Sequence, residues 1–266
     1  GPSYLGDHAP APGVQTLALA AFVGCMALVC CAGDALTFLL GWEGMTLASY
    51  VLVVSDVRDE QNARAGLVYL VMAHAGTAAL LVLFAVLVER AGSFGFPALR
   101  AAARDLGPGL RTVLFLLAVA GFGTKAGVVP LHVWLPRAHP AAPSHVSALM
   151  SGVMLKVALY GLFRLGFDLL APAAGPLPPA CGWTLLVLGT VSALVDVLLA
   201  LQQHDLKRLL AFHSVENVGI ILMGAGLAML LDDGRGDAPL ATLALAAALL
   251  HTLNHAAFKG LLFLGA

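Results

Sequence analysis

The sequence predicts an all-α protein that crosses a membrane several times. Of its 266 residues, 60% are hydrophobic and 11% are charged, and the mean hydropathy is +0.91. Soluble domains carry about 25% charged residues. Several apolar runs reach the roughly 20 residues that a helical span requires. They are rich in Leu, Ala and Val and do not alternate apolar with polar residues, as the strands of a membrane β-barrel would.

Eight such runs predict eight transmembrane helices. The predicted spans are 14–32, 35–54, 63–88, 110–136, 143–170, 183–201, 208–231 and 239–266. Longer polar or Pro/Gly-rich loops are predicted at 55–62, 89–109, 171–182 and 232–238. We divide the chain into a polar N-terminal segment, 1–13, and one transmembrane domain, 14–266. Because the last apolar run has no polar tail, we expect the sequence to be a fragment of a longer protein, truncated at the C-terminus.

The fourth span is predicted to be a broken helix. Lys125 follows a long apolar run and stands among glycines, including Gly123 and Gly127, with Pro130 five residues further on. A lysine at this depth costs about 3 kcal/mol on insertion scales, so it should face a wet cavity or a partner. Pro130 lacks the N–H that would bond the carbonyl of Ala126. Broken helices inside a membrane often mark ion sites.

Seven ionisable residues lie inside the apolar runs and suggest a proton path. Acids, amines and imidazoles can exchange protons through water, and intramembrane charges are functional by default. The alternative for any single residue is a structural ion pair or a packing role. The seven residues are Glu43, Lys125, Lys156, Glu216, His251, His255 and Lys259.

The last span contains the clearest local pattern. His251, His255 and Lys259 are spaced four residues apart, which places them on roughly one face of a helix. Two histidines four residues apart could also bind zinc, but the segment reads HTLNH and lacks the glutamate of an HExxH motif. No third ligand is evident, so we predict no metal site. The expectation is that these residues and Lys156 point inward and form a polar line.

Glu43 and Lys125 are predicted to pair. Each is costly alone in a membrane, and pairing offsets part of the desolvation. Separation of the pair would then push the lysine's proton toward Lys156. The alternative is a static ion pair that only holds two helices together.

Four further residues receive weaker interpretations. His132 and His139 follow the broken span and could admit protons, although an interfacial structural role is the alternative. His74 is interpreted as a packing histidine. Asp196 lies in the sixth span and receives no role.

Long motifs in the sequence resemble those of the antiporter-like membrane subunits. These subunits occur in respiratory complex I, in multisubunit sodium/proton antiporters and in membrane-bound hydrogenases. The segment TKAGVVPLHVWLPRAHPAAPSHVSALMSGVMLK resembles the central signature of the family, and WEGMTLASYVLV resembles its glutamate-bearing helix. HDLKRLLAFHSVENVGIILMG and LLHTLNHAAFKGLLFLGA are also similar to family segments. Within the family, the motifs look closest to the large membrane subunit of hydrogenase-4 and formate hydrogenlyase.

The resemblance implies a fold and roles for several residues. Family members have about fourteen helices with two inverted five-helix repeats. The eight spans would then be one complete five-helix repeat plus part of a second, inverted one. Glu43 would be the family's glutamate partner, Lys125 its broken-helix lysine and Lys156 its connecting lysine. His251, His255 and Lys259 would form the relay along the central axis.

The resulting functional hypothesis is a proton-translocating subunit of a redox-driven complex, of the hydrogenase-4/formate hydrogenlyase or NADH:quinone oxidoreductase type. The alternative is a subunit of a multisubunit sodium/proton antiporter without redox coupling. By resemblance the chain would hold no cofactor and be a non-redox subunit. Its partners would be other membrane subunits and, through them, a peripheral redox module, in the cytoplasmic (inner) membrane. A net charge of −1 gives no argument for nucleic-acid binding.

Overall fold

The chain forms a bundle of long helices. The computed structural model describes residues 12–54, 60–171, 175–232 and 238–266. Within these ranges, eight helical stretches are long and apolar enough to cross a membrane, which confirms the predicted spans. Extended pairing in the same ranges is limited to one isolated bridge between Asp34 and Gly95. Residues 1–11 of the polar segment predicted at 1–13, and parts of the loops predicted at 55–62, 171–182 and 232–238, lie outside the described residues.

The helices are numbered in chain order. The fifth span also contains two π-helical segments, Met150–Met154 and Arg164–Leu170, one before and one after the helix Leu155–Phe163. The helices are α1 Pro12–Cys31, α2 Ala35–Val53, α3 Glu60–Ala91, α4 Phe96–Ala102, α5 Pro108–Ala126, α6 Leu135–Ala141, α7 Ser144–Leu149, α8 Leu155–Phe163, α9 Pro179–Ala200, α10 Leu206–Leu231 and α11 Pro239–Leu264.

Two connections on the outside of the bundle are more ordered than the sequence suggests. Asp34 caps α2 by accepting a hydrogen bond of 2.8 Å from the Thr37 N–H, and this bond holds the pKa of Asp34 below its ordinary value. The loop predicted at 89–109 contains the short helix α4. Its Arg100 forms a 2.6 Å ion pair with Asp168 and thereby fastens the loop to the fifth span.

The predicted break in the fourth span is confirmed. Helix α5 ends at Ala126, and Gly127 adopts the left-handed conformation with φ of +79°. The N–H groups of Gly127 and Val128 both bond the carbonyl of Gly123, at 2.9 Å each. This is the way helices commonly end at a left-handed glycine.

The predicted cause of the break is wrong. Pro130 was expected to interrupt the ladder, but the chain has already left the helix at Gly127. A side chain at Gly127 would be strained by its backbone angle and would meet Leu135 at 2.6 Å. The Trp134 indole donates a 2.7 Å hydrogen bond to the carbonyl of Thr124, so this carbonyl in the last turn of α5 has a partner.

Helices α9 and α10 approach each other through glycines. Gly182 of α9 faces Gly226 of α10, and Gly189 of α9 faces Gly219 of α10. On each helix the two glycines are seven residues apart. A Cβ atom at Gly189 would lie 2.6 Å from the carbonyl oxygen of Gly219. Small residues at membrane helix interfaces allow this close packing. It holds α9, which carries Asp196, against α10, which carries Glu216.

Candidate functional site: ionisable groups inside the bundle

Lys125 is buried and surrounded by hydroxyl groups and aromatic rings. Its side chain is only 1% exposed, and its ammonium donates hydrogen bonds to Thr46 Oγ1 at 2.6 Å and to the Tyr69 hydroxyl at 3.1 Å. The ammonium also lies 5.5 Å from the ring centroid of Trp42 and 5.1 Å from that of Tyr69. These contacts satisfy a buried cation without a carboxylate. The position follows from the break, because Lys125 is in the last turn of α5.

The predicted ion pair between Glu43 and Lys125 is wrong. The Glu43 carboxylate instead lies 3.5 Å from His74 Nε2 on α3. Among the described residues, no carboxylate lies within ion-pair distance of the Lys125 ammonium. Thr46, one turn after Glu43 on α2, occupies that place. The physical reason is packing: the Glu43 carboxylate, 30% exposed, faces His74 on α3, and its Oε1 has no hydrogen-bond partner among the described residues. Glu43 still acts on Lys125 electrostatically.

The interpretation of His74 as a packing histidine is therefore also wrong. Its Nδ1 bonds the carbonyl of Leu70 at 2.9 Å, which leaves Nε2 to face Glu43. The side chain is half exposed. Sequence reasoning missed this contact because the two residues come from different helices.

Lys156 lies beside the first π-helical segment. Its ammonium donates a 2.6 Å hydrogen bond to the carbonyl of Ser151, five residues earlier. π-helical turns alter the regular bonding of main-chain carbonyls and occur frequently at functional sites. Lys156 also lines a cavity of about 460 Å³ together with Tyr160, Arg164 and Thr252, among other residues.

A run of hydrogen bonds connects Lys156 with Lys259. The Ser151 hydroxyl and the Ser214 hydroxyl are 2.8 Å apart. The Ser214 hydroxyl donates to the carbonyl of Leu210 at 2.8 Å, and the Lys259 ammonium donates to that same carbonyl at 2.9 Å. Two buried serines thus lie between the two lysines and bring α10 and α11 into contact with the fifth span.

Glu216 belongs to a second hydrogen-bonded group on α10. Its carboxylate lies 2.7 Å from His213 Nδ1 and 3.3 Å from the amide nitrogen of Asn217. The amide oxygen of Asn217 in turn lies 2.9 Å from His251 Nε2 on α11. Glu216 also acts electrostatically on Lys259. The partner of Glu216 is therefore the histidine one turn earlier, and Asn217 extends the group to the last span.

Two fully buried histidines have unsatisfied ring nitrogens. His255 and His139 are both 0% exposed, and neither ring makes a hydrogen bond within the described part of the chain. The His255 ring is 6.3 Å from the ring of His251, and the His139 ring stacks on Phe263 at 4.6 Å. Buried polar atoms without partners are uncommon in native proteins and call for an explanation such as an unseen water or a functional role.

The polar line predicted from Lys156 to Lys259 lies inside the bundle. His255 and Lys259 are buried, and Lys156 and His251 are half-buried. These four residues make no hydrogen bond to one another in the described ranges. Serines, an asparagine and main-chain carbonyls lie between them instead. Their role in proton transfer stays a prediction.

Asp196 is a further buried acid near the break. It is 0% exposed, and its Oδ1 lies 3.6 Å from His132 Nε2. One turn earlier on α9, the Ser192 hydroxyl accepts a 3.0 Å hydrogen bond from the Val129 N–H. Both α9 residues thus contact the segment between α5 and α6.

Comparison with known proteins places this arrangement in a family. Residues 32–266 match the model of the transmembrane family described as NADH:quinone oxidoreductase/Mrp antiporter. The chain belongs to this antiporter family. Among its relatives, Hydrogenase-4 component B of Escherichia coli K12 is 47% identical over 247 residues, covering 92% of this chain and 36% of the relative. Formate hydrogenlyase subunit 3 of the same strain is 37% identical, covering 81% of this chain and 34% of the relative.

A similar protein of known structure has the same fold. A subunit of the membrane-bound sulfane sulfur reductase, an archaeal respiratory membrane complex, superposes with a TM-score of 0.79 at 32% identity. The match covers 94% of this chain and 40% of that subunit. The chain thus spans about a third of the length of the curated relatives it matches. The resemblance inferred from the motifs is confirmed.

Sequence reasoning missed most of the neutral partners in the antiporter-family site. Thr46, Tyr69, Ser151, Ser214 and Asn217 each hold or connect a charged group, as described above. One signal was available: polar side chains within apolar runs must find partners where lipid offers none. Which charge each one meets depends on the packing of separate helices.

Proposed function

We propose that the chain is the core of a proton-translocating subunit of a redox-driven complex in the cytoplasmic membrane. Its relatives include a hydrogenase-4 component and a formate hydrogenlyase subunit. On this proposal the chain carries protons and no redox centre. Electron transfer belongs to a peripheral module, which other membrane subunits connect to this one.

One observation carries the proposal: titratable groups run across the bundle interior with neutral polar groups between them. The line passes from Glu216 through Asn217 to His251, and the hydroxyls of Ser151 and Ser214 lie between Lys259 and Lys156. Groups of this kind inside a membrane mark ion and proton pathways.

The two lysines at the end of this line are electrostatically coupled. Lys259 acts on Lys156 as a like charge, and Glu216 acts on Lys259 as an opposite charge. Like charges repel, so a change in charge at one lysine acts on the other. Protonation of Glu216 removes the charge that stabilises the Lys259 ammonium. A change in charge at one group is thus transmitted to the next, as stepwise transfer requires.

The test is proton translocation by the complete complex carrying Lys259→Ala or Lys156→Ala. Both variants should assemble and lose translocation by about 100-fold, because each removes a positioned proton-transfer group. Lys207→Ala is the matched control. Lys207 also donates to a main-chain carbonyl, that of Ala142 at 3.1 Å, but among the described residues it makes no hydrogen bond to a member of the line. Normal translocation in an assembled Lys259→Ala complex would refute the proposal.

A second candidate function is sodium/proton antiport without redox coupling. This candidate is supported by the family itself, whose description includes the Mrp antiporter. The same vesicles separate the two functions. Redox-driven translocation requires the electron donor and continues without sodium, whereas antiport requires a sodium gradient and no donor.

A further inference from the structure

We propose that Asp196 and His132 form a proton-exchange site at the break after α5, where the two side chains hold one proton between them. The site loads this proton from the membrane face at which α9 ends and passes it toward Glu216. This inference rests on the proposed function, and it adds an entry point that the line from Glu216 to Lys156 lacks.

The Asp196 carboxyl group has an unusual environment. It is completely buried one turn before the end of α9, and neither of its oxygens accepts a hydrogen bond from the described residues. His132 is 14% exposed, and its Nδ1 also lacks a hydrogen-bond partner. The separation of 3.6 Å between Oδ1 and Nε2 exceeds the roughly 3.2 Å limit of an N–H···O hydrogen bond.

Burial fixes the number of protons in the pair. An ionised carboxylate with no donor costs several kcal/mol in an apolar interior, and in practice such a group becomes neutral or pairs with a cation. Asp196 is therefore either protonated beside a neutral imidazole or ionised beside an imidazolium. The two forms contain the same single proton, located on Oδ1 or on Nε2, and interconvert by one transfer across the contact.

The surrounding backbone lets the contact open and close. His132 lies in the non-helical segment between α5 and α6, whereas Asp196 is fixed on α9. The bond from the Val129 N–H to Ser192 anchors this segment one turn away from Asp196. A movement of about half an ångström at His132 would bring the two atoms into hydrogen-bonding distance. A proton-exchange site requires two side chains of this kind, which lie close together but are not held in a permanent hydrogen bond.

Glu216 lies on α10, which packs closely against α9, and is the proposed acceptor of the pair's proton. Within the described residues, His132 and Glu216 are the titratable groups that act on Asp196. An ionised Glu216 favours retention of the proton by the pair, because two nearby carboxylates disfavour a second negative charge. Transfer of the proton to Glu216 leaves Asp196 ionised beside a neutral His132, the costly form that burial disfavours and that is populated only transiently. Uptake of a proton from the membrane face then restores the loaded pair.

The experiment compares Asp196→Asn, His132→Gln and the double variant in the assembled complex within inverted vesicles. Asparagine and glutamine keep the size and polarity of the site but cannot carry the proton. Asp105→Asn is the matched control, because Asp105 is exposed outside the spans. Each single variant should lower the translocation rate by about tenfold or more, and the double variant should be no worse than the singles, because the two residues act as a unit.

Two translocation results would overturn the inference: an Asp196→Asn complex that translocates like Asp105→Asn, or a double variant whose loss is the product of the two single losses. Infrared difference spectra recorded during a pH titration test the pair independently of pumping. The wild-type complex should show a protonated carboxyl or imidazolium band that Asp196→Asn removes, and absence of both bands would also refute the site. A wild-type complex that pumps no protons but shows such a band would refute the proposed function and leave this site supported.

Discussion

The two halves of the bundle satisfy their buried charges in parallel ways. In the first half, Glu43 lies beside a histidine, His74, and Lys125 is held by neutral groups. In the second half, Glu216 lies beside His213, and Lys259 is likewise held by a neutral group. In both halves the acid meets an imidazole rather than the amine. Such an arrangement leaves each lysine without a counter-ion to hold its proton permanently.

The halves differ in the groups that hold the lysine. Lys125 donates to two side-chain hydroxyls, those of Thr46 and Tyr69. Lys259 donates to the main-chain carbonyl of Leu210. A hydroxyl can both accept and donate a hydrogen bond, whereas a carbonyl only accepts. The hydroxyls around Lys125 can therefore reorient when its charge changes, but the carbonyl beside Lys259 loses its bond from the lysine.

The largest expected effect tests whether the two halves are equally essential. Lys125→Ala should lower proton translocation by the assembled complex about 100-fold, like the same change at Lys259, because it removes a positioned proton carrier. Electron transfer should continue in part. Translocation followed with a pH-sensitive dye in vesicles provides the measurement. A normal rate in an assembled Lys125→Ala complex would show that the first half is structural.

A smaller effect tests the acid–imidazole contact in the first half. Glu43→Gln and His74→Ala should each reduce translocation about tenfold, since each removes one member of a group that acts on Lys125 from a distance. The double variant should resemble the singles. Arg64→Ala, at an exposed ion pair with Glu60 at the start of the same helix, is the control. Independent, multiplying losses would contradict the contact.

The smallest effect tests the hydroxyls. Tyr69→Phe removes one of the two hydroxyl acceptors of Lys125 but keeps the aromatic ring near its ammonium, so a loss of about threefold is expected. Tyr50→Phe, on the neighbouring helix, serves as the control. If Tyr69→Phe matched Lys125→Ala in effect, the phenol itself would carry the proton, and the contrast between the two halves would have to be redrawn.

The sequence was most informative about features that belong to a single helix, namely where each span lies and where one of them breaks. The apolar runs predicted eight spans, and Lys125 among its glycines predicted the break between Thr124 and Pro130. The cause of the break was misassigned, because the sequence contains two candidates, Gly127 and Pro130. Only the backbone angle of Gly127 shows which of them ends the helix. Similarly, the spacing of His251, His255 and Lys259 predicted a shared face but not the partners on α10.

The partners of each charge depended on contacts between helices far apart in the chain. Glu43 and Lys125 were paired on the argument that opposite charges in a membrane attract. In the structure, α2 packs against α3 so that Glu43 contacts His74, and Thr46 accepts the hydrogen bond from the lysine. Asp196 received no role because nothing near it in the chain suggests one.

By itself, then, the amino-acid sequence determined that the protein is a helical membrane protein, where its helices run, where one of them breaks and which charges they carry into the bundle. These properties follow from hydrophobicity and local backbone chemistry, which act over a few neighbouring residues. The tertiary structure alone decided which acid meets which base, which carbonyls hold Lys156 and Lys259, and that Asp196 lies beside His132. Hydrogen bonds and ion pairs act over about 3 to 4 Å, so these pairings exist only once separate helices have packed.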